Sequence, residues 1–282
     1  MELYKNCFSN FRNVFNCDLF FDVKSSTKID ENEIANFIKS KDLCENDRNI
    51  VELYLEKKIN KIMLIKYMER KNKTLFRGKI HLMLVFISPL WIFYMLYLSK
   101  TLTARIFTSI AVLCIFFNFF ASFLLHNFEW KPKFFFFIEK MDHFGIFLMI
   151  SGSLLPVQAL LFNKIKLLFF ISLQFLAILF GCLIVFFSCF STGNRFIRAT
   201  IFTFAGLLHI IFIKDYVSLL YGNEFILLIL LGILYVIGAV IYSVKKPNIV
   251  PGILEFHEVF HICCLGSAVC TFVLNCSVIK RT

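Results

Sequence analysis

The chain has 282 residues, of which 59% are hydrophobic, and a mean hydropathy of +0.75, well above the roughly 45–50% apolar content of soluble domains. This composition excludes a soluble globular protein and indicates a chain that resides in a bilayer. The net charge of +11 does not indicate nucleic-acid binding, because the charges surround apolar stretches instead of forming a compact basic domain. Anionic membrane lipids are the expected partners.

Residues 1–77 differ from the rest of the chain and are predicted to form a cytosolic N-terminal region. They hold 12 of the 19 acidic and 15 of the 30 basic residues. Their most regular part, residues 49–72, places Ile50, Ile65 and Met68 on an imperfect apolar face among lysines. This pattern predicts a basic amphipathic helix lying on the membrane surface, and an ordinary cytosolic helix is an equal alternative.

Residues 78–282 are dominated by long apolar stretches. A bilayer core of about 30 Å takes roughly 20 apolar residues at about 1.5 Å each, and seven segments meet this requirement. The sequence therefore predicts an all-α protein, a bundle of seven transmembrane helices with an N-terminal soluble or interfacial extension. The predicted spans, of which the fifth is the shortest, are 81–99, 103–126, 141–163, 167–189, 197–213, 225–243 and 252–276.

The orientation of the bundle follows from the positive charges beside the spans. The short loops on the two sides carry equal numbers of Lys and Arg, and the basic run from Lys66 to Lys79 breaks the tie. The N-terminus is therefore predicted to be cytosolic and the C-terminus to lie on the far side. The expected location is the plasma membrane or an endomembrane such as that of the vacuole.

Ionisable residues near the spans are few, and each costs at least about 2.5–3.5 kcal/mol at mid-bilayer. The second span ends with Ser122 and His126, which are four residues apart and share a helical face. The third span opens with Asp142, and the seventh opens with His257 and His261, which also share a face. Because four spans separate the start of the third from the start of the seventh, all of these residues reach the same side of the membrane.

Three imidazoles at one depth match a catalytic type of Zn²⁺ site, which takes three protein ligands and leaves a position for water. Asp142 could hold that water or accept its proton, and Ser122 could orient a ligand or donate to an oxyanion. The alternative is that the histidine pair only faces lipid headgroups and that Ser122 is a small packing residue.

Three motifs in chain order resemble those of hemolysin III and its relatives, the progestin and adipoQ receptors. They are S-x-x-x-H closing the second span, D-H-F-G-I with S-G-S-L-L-P in the third, and H-E-V-F-H followed by Gly266, Ser267 and Ala268 in the seventh. The resemblance covers residues 80–278. The N-terminal region is longer than in the bacterial pattern, and the resemblance implies nothing about its role.

The resemblance extends to a wider superfamily that includes alkaline ceramidases. It implies a seven-helical fold with a zinc ion held near the cytosolic face by three histidines. In this chain the implied ligands are His126, His257 and His261, with Asp142 and Ser122 beside the metal as water-binding or supporting groups.

The same H-E-V-F-H segment also fits H-E-x-x-H, the zinc-binding helix of metalloproteases. An intramembrane protease would use Glu258 as its general base. Such proteases also need a distant third ligand, typically an Asp of a later helix, and no Asp or Glu follows His261. This counts against the protease interpretation.

The remaining candidates have simpler interpretations. Cys264 shares the face of the histidine pair and could approach a metal, but a buried thiol is the favoured interpretation. His143 is interpreted as interfacial, and His209 as a histidine satisfied within the bundle. Glu255 and Glu258 lie in the first turn of the seventh span, where carboxylates interact favourably with the helix dipole.

Three classes of function follow. The first is zinc-dependent hydrolysis of a lipid, such as an amide-linked one, and the second is receptor-like signalling or lipid homeostasis. The third is lysis of erythrocytes by membrane permeabilisation, the activity for which the family is named. The sequence gives no independent support for a pore, because no span carries a regular polar stripe, and a pore would also require a homo-oligomer.

Overall fold

The structure is a computed structural model and describes residues 31–40, 43–59, 61–71, 74–187 and 195–282. Residues 1–30 of the predicted N-terminal region lie outside the described residues. Within the described ranges the chain forms α-helices and no β-strand. The prediction of an all-α protein is confirmed.

The described part of the N-terminal region consists of helices α1 (Glu31–Lys39), α2 (Glu45–Leu55) and α3 (Lys61–Lys71). Their apolar side chains form a cluster of their own, against which Phe136 of the membrane domain also packs. The buried members of the cluster are Ile34, Ile50, Val51, Leu64 and Ile65.

The single amphipathic helix predicted over residues 49–72 is therefore two helices. Helix α2 ends at Leu55 because Lys57 adopts a left-handed conformation with φ 56°. The Lys58 N–H then donates to the Leu53 carbonyl at 2.9 Å, and the Lys57 N–H donates to the Tyr54 carbonyl at 3.0 Å. This pair of hydrogen bonds is the Schellman motif that ends a helix. The turn directs the apolar faces of α2 and α3 into the shared cluster.

A buried polar contact joins the same two helices. The Tyr67 hydroxyl donates to the Asp47 carboxylate at 3.3 Å, and Asp47 is buried. Burial raises the pKa of Tyr67, and the neighbouring Asp47 carboxylate raises it further. The Tyr67 ring also lies edge-on to Phe135 with 6.3 Å between ring centres, which ties this region to the membrane domain.

Nine helices follow within the described part of the membrane domain. They are α4 (Lys79–Leu98), α5 (Leu102–Asn127), α6 (Pro132–Gly152), α7 (Leu155–Leu161), α8 (Lys164–Phe187), α9 (Arg195–Leu207), α10 (Ile213–Leu219), α11 (Gly222–Val244) and α12 (Phe256–Arg281), with a 3₁₀ turn at Leu208–Phe212.

These helices form seven segments that are long and apolar enough to cross a membrane, as predicted. Large apolar side chains such as Phe86, Phe93 and Ile165 point outward from them, as expected for surfaces that contact lipid. Spans 1 to 7 are Lys79–Leu98, Leu102–Asn127, Phe134–Leu161, Lys164–Phe186, Arg195–Leu219, Gly222–Val244 and Phe256–Arg281.

Spans 3 and 5 extend well beyond their predicted limits because polar groups are accommodated inside the helices. Span 3 begins at Phe134 instead of 141, since the Lys140 ammonium donates to the Phe186 carbonyl at 3.1 Å. Span 5 is not the shortest, because it continues through the 3₁₀ turn to Leu219, and Lys166 pairs with Asp215 beside its end.

Span 7 begins at Phe256 instead of 252. The preceding residues form a turn closed by the bridge between Val250 and Leu254, and Gly252 has φ 77° within it.

Span 7 packs against spans 1 and 6, and span 3 packs closely against span 2. The close approach of spans 2 and 3 depends on glycine. A Cβ on Gly145 would lie 3.0 Å from the Asn118 Cα, and one on Gly152 would lie 2.5 Å from the Cys114 sulfur. Gly145 belongs to the D-H-F-G-I motif, one turn after Asp142. The motif glycine thus fixes how closely the Asp142 helix approaches the His126 helix.

Candidate metal centre

Three of the predicted residues meet at one end of the bundle, which we call the histidine face. His126 lies in the last turn of span 2, and His257 and His261 lie in the first two turns of span 7. The ring centres of His126 are 5.0 Å from His257 and 5.4 Å from His261, and the last two rings are 4.5 Å apart. One potential ligand atom from each residue lies within 4.8 Å of the others.

The junction before span 1 holds His126 in place. Gly78 has φ 82°, and a Cβ on it would lie 2.8 Å from the His126 Cβ and 2.6 Å from the Asn127 side-chain nitrogen. That nitrogen donates to the Gly78 carbonyl at 3.1 Å. Glycine is therefore required twice at residue 78, for its backbone conformation and for the close approach to His126.

The start of span 7 is fixed by a buried carboxylate. Glu258 is 0% exposed, and its Oε2 accepts the backbone N–H of Glu255 at 2.9 Å. Its Oε1 accepts the Thr74 hydroxyl at 2.5 Å and pairs with Arg77 at 3.1 Å. The segment before span 1 is thereby joined to the helix that carries two of the histidines.

Glu258 is therefore engaged in the architecture of the site. Both of its oxygens accept hydrogen bonds, and an arginine balances its charge. A general base needs an available carboxylate within hydrogen-bonding reach of the proton that it removes. This geometry disfavours the metalloprotease interpretation of H-E-V-F-H and agrees with the predicted position of Glu258 at the helix N-terminus.

The geometry and the unpaired nitrogens of the cluster fit a metal ion. Imidazoles that share a tetrahedral ion at about 2.0–2.1 Å have ring centres about 5 Å apart, close to the 4.5–5.4 Å found here. Nε2 of His257 and both ring nitrogens of His261 are buried and have no hydrogen-bond partner among the described residues. A buried polar atom without a partner costs about 1–3 kcal/mol. A cation that accepts one lone pair from each ring would remove that cost at one nitrogen of each histidine.

The two other predicted site residues lie in spans 2 and 3. Ser122 is buried one turn before His126. Asp142 lies in span 3, one turn before Gly145, where this span closely approaches span 2. Within the described part of the chain, neither Asp142 nor Cys264 belongs to the group of ligand atoms within 4.8 Å. Their roles at the site stay predictions.

The structure adds a histidine to which the sequence interpretation gave no role. His81 lies in the first turn of span 1, is 4% exposed, and has its ring centre 4.2 Å from that of His261 at an interplanar angle of 83°. The signal was available in the sequence, because span 1 starts on the same side of the membrane as span 2 ends. The side chain was overlooked because it has no partner one turn away.

Among the described residues, the other two histidines do not belong to the group of ligand atoms within 4.8 Å. His209 is satisfied within the bundle, as predicted, with ring nitrogens 3.3 Å from the Tyr216 hydroxyl and 3.2 Å from the Ile150 carbonyl. His143 is buried within the protein and stacks against Phe202 with 6.3 Å between ring centres. Its predicted position at the membrane interface stays a prediction.

An apolar cavity lies deeper in the bundle, among spans 1, 2, 3 and 7. Ser88 and Ala268 at its wall each follow a histidine of the histidine face by seven residues, which corresponds to about 10 Å along a helix. The Trp91 and Phe272 rings stack at 4.8 Å beside it. Its lining residues include Ser88, Trp91, Met95, Ile115, Met149, Ala268 and Phe272.

Comparison with known families gives a match over most of this domain. The model of a family described as haemolysin-III related matches residues 69–272, which is more than half of the chain. The matched region contains His81 and all three histidines of the cluster, and it leaves out helices α1 and α2.

Proposed function

The chain belongs to the haemolysin-III related family, and from this premise we propose that it is a zinc-dependent membrane hydrolase that cleaves a lipid at an amide bond. The observation that carries the proposal is the convergence of His126, His257 and His261 with 4.5–5.4 Å between ring centres. Three imidazoles with a fourth position left for water are the ligand set of catalytic zinc sites. When bound, zinc polarises a carbonyl group and lowers the pKa of water to about 7.

The side chains beside the histidines supply the remaining functions of a hydrolase. Asp142 orients the attacking water and accepts its proton, and Ser122 donates a hydrogen bond to the oxygen that gains negative charge. Water adds its hydroxyl to the acyl carbon, and the proton held by Asp142 passes to the leaving nitrogen as the carbon–nitrogen bond breaks. The products are a carboxylic acid and an amine.

The setting of the histidines supports a lipid as the substrate. They lie at one end of a bundle whose outward side chains include Phe86, Phe93 and Ile165, as expected for surfaces that contact lipid. The apolar cavity about 10 Å below the histidines has a volume of about 20 Å³, which is too small for an acyl chain. The chain of a bound lipid would therefore lie outside this cavity.

The histidine face is proposed to be the cytosolic one. In the sequence the basic run from Lys66 to Lys79 leads into span 1, whose first turn carries His81, and positively charged flanks are retained on the cytosolic side. An amide-linked lipid of the cytosolic leaflet could reach the site from this side.

The test is metal analysis of the full-length protein purified in detergent, together with hydrolysis of a fluorogenic amide-linked lipid. The wild type is expected to contain about one zinc per chain, and Asp142→Asn to keep the zinc but lose turnover. His209→Ala, which alters a histidine bonded elsewhere in the bundle, should keep both. A wild-type protein without metal, or an Asp142→Asn variant with full turnover, would contradict the proposal.

A further inference from the structure

The side chains of His81 and His261 meet where span 1 packs against span 7, and both have ring nitrogens without a hydrogen-bond partner among the described residues. Their rings are nearly perpendicular, with 4.2 Å between centres, and each side chain is 4% exposed. Nδ1 of His81 and both nitrogens of His261 have no hydrogen-bond partner among the described residues. These unpaired nitrogens belong to rings in direct contact.

A histidine that binds a metal through one nitrogen carries a hydrogen on the other. That N–H almost always donates to a carboxylate, a carbonyl or water, and the hydrogen bond fixes the tautomer and the ring plane. His261 has no such acceptor among the described groups. Glu258, the carboxylate closest to it in sequence, already accepts from Thr74, Arg77 and the Glu255 backbone.

A neutral imidazole can take the place of the usual acceptor, because one of its two nitrogens carries a lone pair. Ring nitrogens lie about 1.1 Å from the ring centre, and the χ2 torsion of histidine is soft, so rotation of either ring can bring two nitrogens to about 3 Å. His81 does not join the group of ligand atoms within 4.8 Å of one another. It therefore lies beside the ligands rather than among them.

We propose that Nδ1 of His81 accepts a hydrogen bond from the His261 nitrogen that does not bind the metal, and so positions His261 for metal binding. The inference rests on the proposed metal site and adds to it a positioning residue contributed by span 1. The affinity for zinc then depends on the contact between spans 1 and 7 as well as on the three ligands.

The test is a zinc titration of the full-length protein in detergent against a competing chelator. His81→Phe keeps a ring but removes the acceptor, and it is expected to weaken zinc binding about 10–100-fold while the stoichiometry stays at one zinc per chain. His81→Asn, whose side-chain oxygen takes the place of Nδ1, should recover most of the affinity. His209→Phe is the matched control and should bind as the wild type does.

Replacement of zinc by Co²⁺ provides a second measurement, which a loss of ring packing alone would not change. The visible absorption of the Co²⁺ protein should indicate the same coordination number in the wild type and in His81→Phe. A lower coordination number in His81→Phe would make His81 a metal ligand and overturn the inference. Monodisperse elution of each variant shows that weaker binding does not arise from misfolding.

The remaining outcomes separate the inference from the proposed function. Unchanged zinc affinity in His81→Phe, or His81→Asn binding no better than His81→Phe, overturns the role of His81 and leaves the metal site intact. A wild-type protein that binds no zinc overturns the metal site and this inference with it. Zinc binding without lipid hydrolysis contradicts only the proposed hydrolase activity and leaves the metal site and the role of His81 standing.

Discussion

Replacement of Gly78 by alanine tests how the backbone before span 1 holds His126. The new Cβ would meet the His126 Cβ at 2.8 Å and the Asn127 amide nitrogen at 2.6 Å, in a residue with φ 82°. The left-handed conformation costs about 1–2 kcal/mol for a residue with a Cβ, and overpacking costs about 1–3 kcal/mol more. Gly78→Ala is therefore expected to lower the free energy of unfolding by about 2–5 kcal/mol and to displace His126.

Gly252→Ala is the matched control. Gly252 has φ 77°, and a Cβ on it would meet nothing within 4 Å, so this variant incurs the conformational cost without the clash. It should lose only about 1–2 kcal/mol and keep wild-type zinc affinity, whereas Gly78→Ala should bind zinc at least about 10-fold more weakly.

The assays are SDS-induced unfolding in mixed micelles, followed by circular dichroism, and zinc titration against a chelator. The two glycine variants together separate backbone strain from displacement of the ligand. Equal destabilisation of both, with zinc affinity unchanged in Gly78→Ala, would refute the claim that the junction positions His126.

Three further predictions concern Glu258, the cavity and the membrane. Glu258→Gln should lower the free energy of unfolding by about 3–5 kcal/mol, because it breaks a buried ion pair with Arg77. The folded variant should still hydrolyse the amide lipid, and a folded variant without this activity would favour the metalloprotease interpretation. Ala268→Leu should lower the free energy of unfolding by about 1–3 kcal/mol, because the cavity of about 20 Å³ beside Ala268 is too small for the larger side chain. Val273→Leu on the exposed side of span 7 should change the stability little, and equal stability of the two variants would contradict this packing. Liposomes that contain the protein at high density should retain a small dye, with or without a zinc chelator. Leakage with a size limit would support the pore-forming function.

The sequence was sufficient for the framework of the site. Seven apolar stretches predict seven spans, and the parity of the helices brings His126 to the same side as His257 and His261. Hydropathy could not place the start of span 3, because Lys140 lies within the helix and its ammonium group donates to the Phe186 carbonyl. The end of a helix cannot be predicted from local composition when it depends on a contact with another span.

The remaining differences have the same origin. The Schellman turn at Lys57 depends on one residue with positive φ, for which the side chain gives no signal. His81 contacts His261 of the cluster only because span 1 packs against span 7, and that contact is tertiary. Likewise, the pairing of Glu258 with Arg77 joins residues 181 positions apart.

X-ray absorption at the zinc edge of the purified full-length protein tests the central claim most directly. The account predicts about one zinc per chain, with three imidazole nitrogens at about 2.0–2.1 Å and one further oxygen, and loss of this signal in His257→Ala and His261→Ala. A sulfur ligand at about 2.3 Å, which would implicate Cys264, or a wild-type protein free of zinc would contradict it.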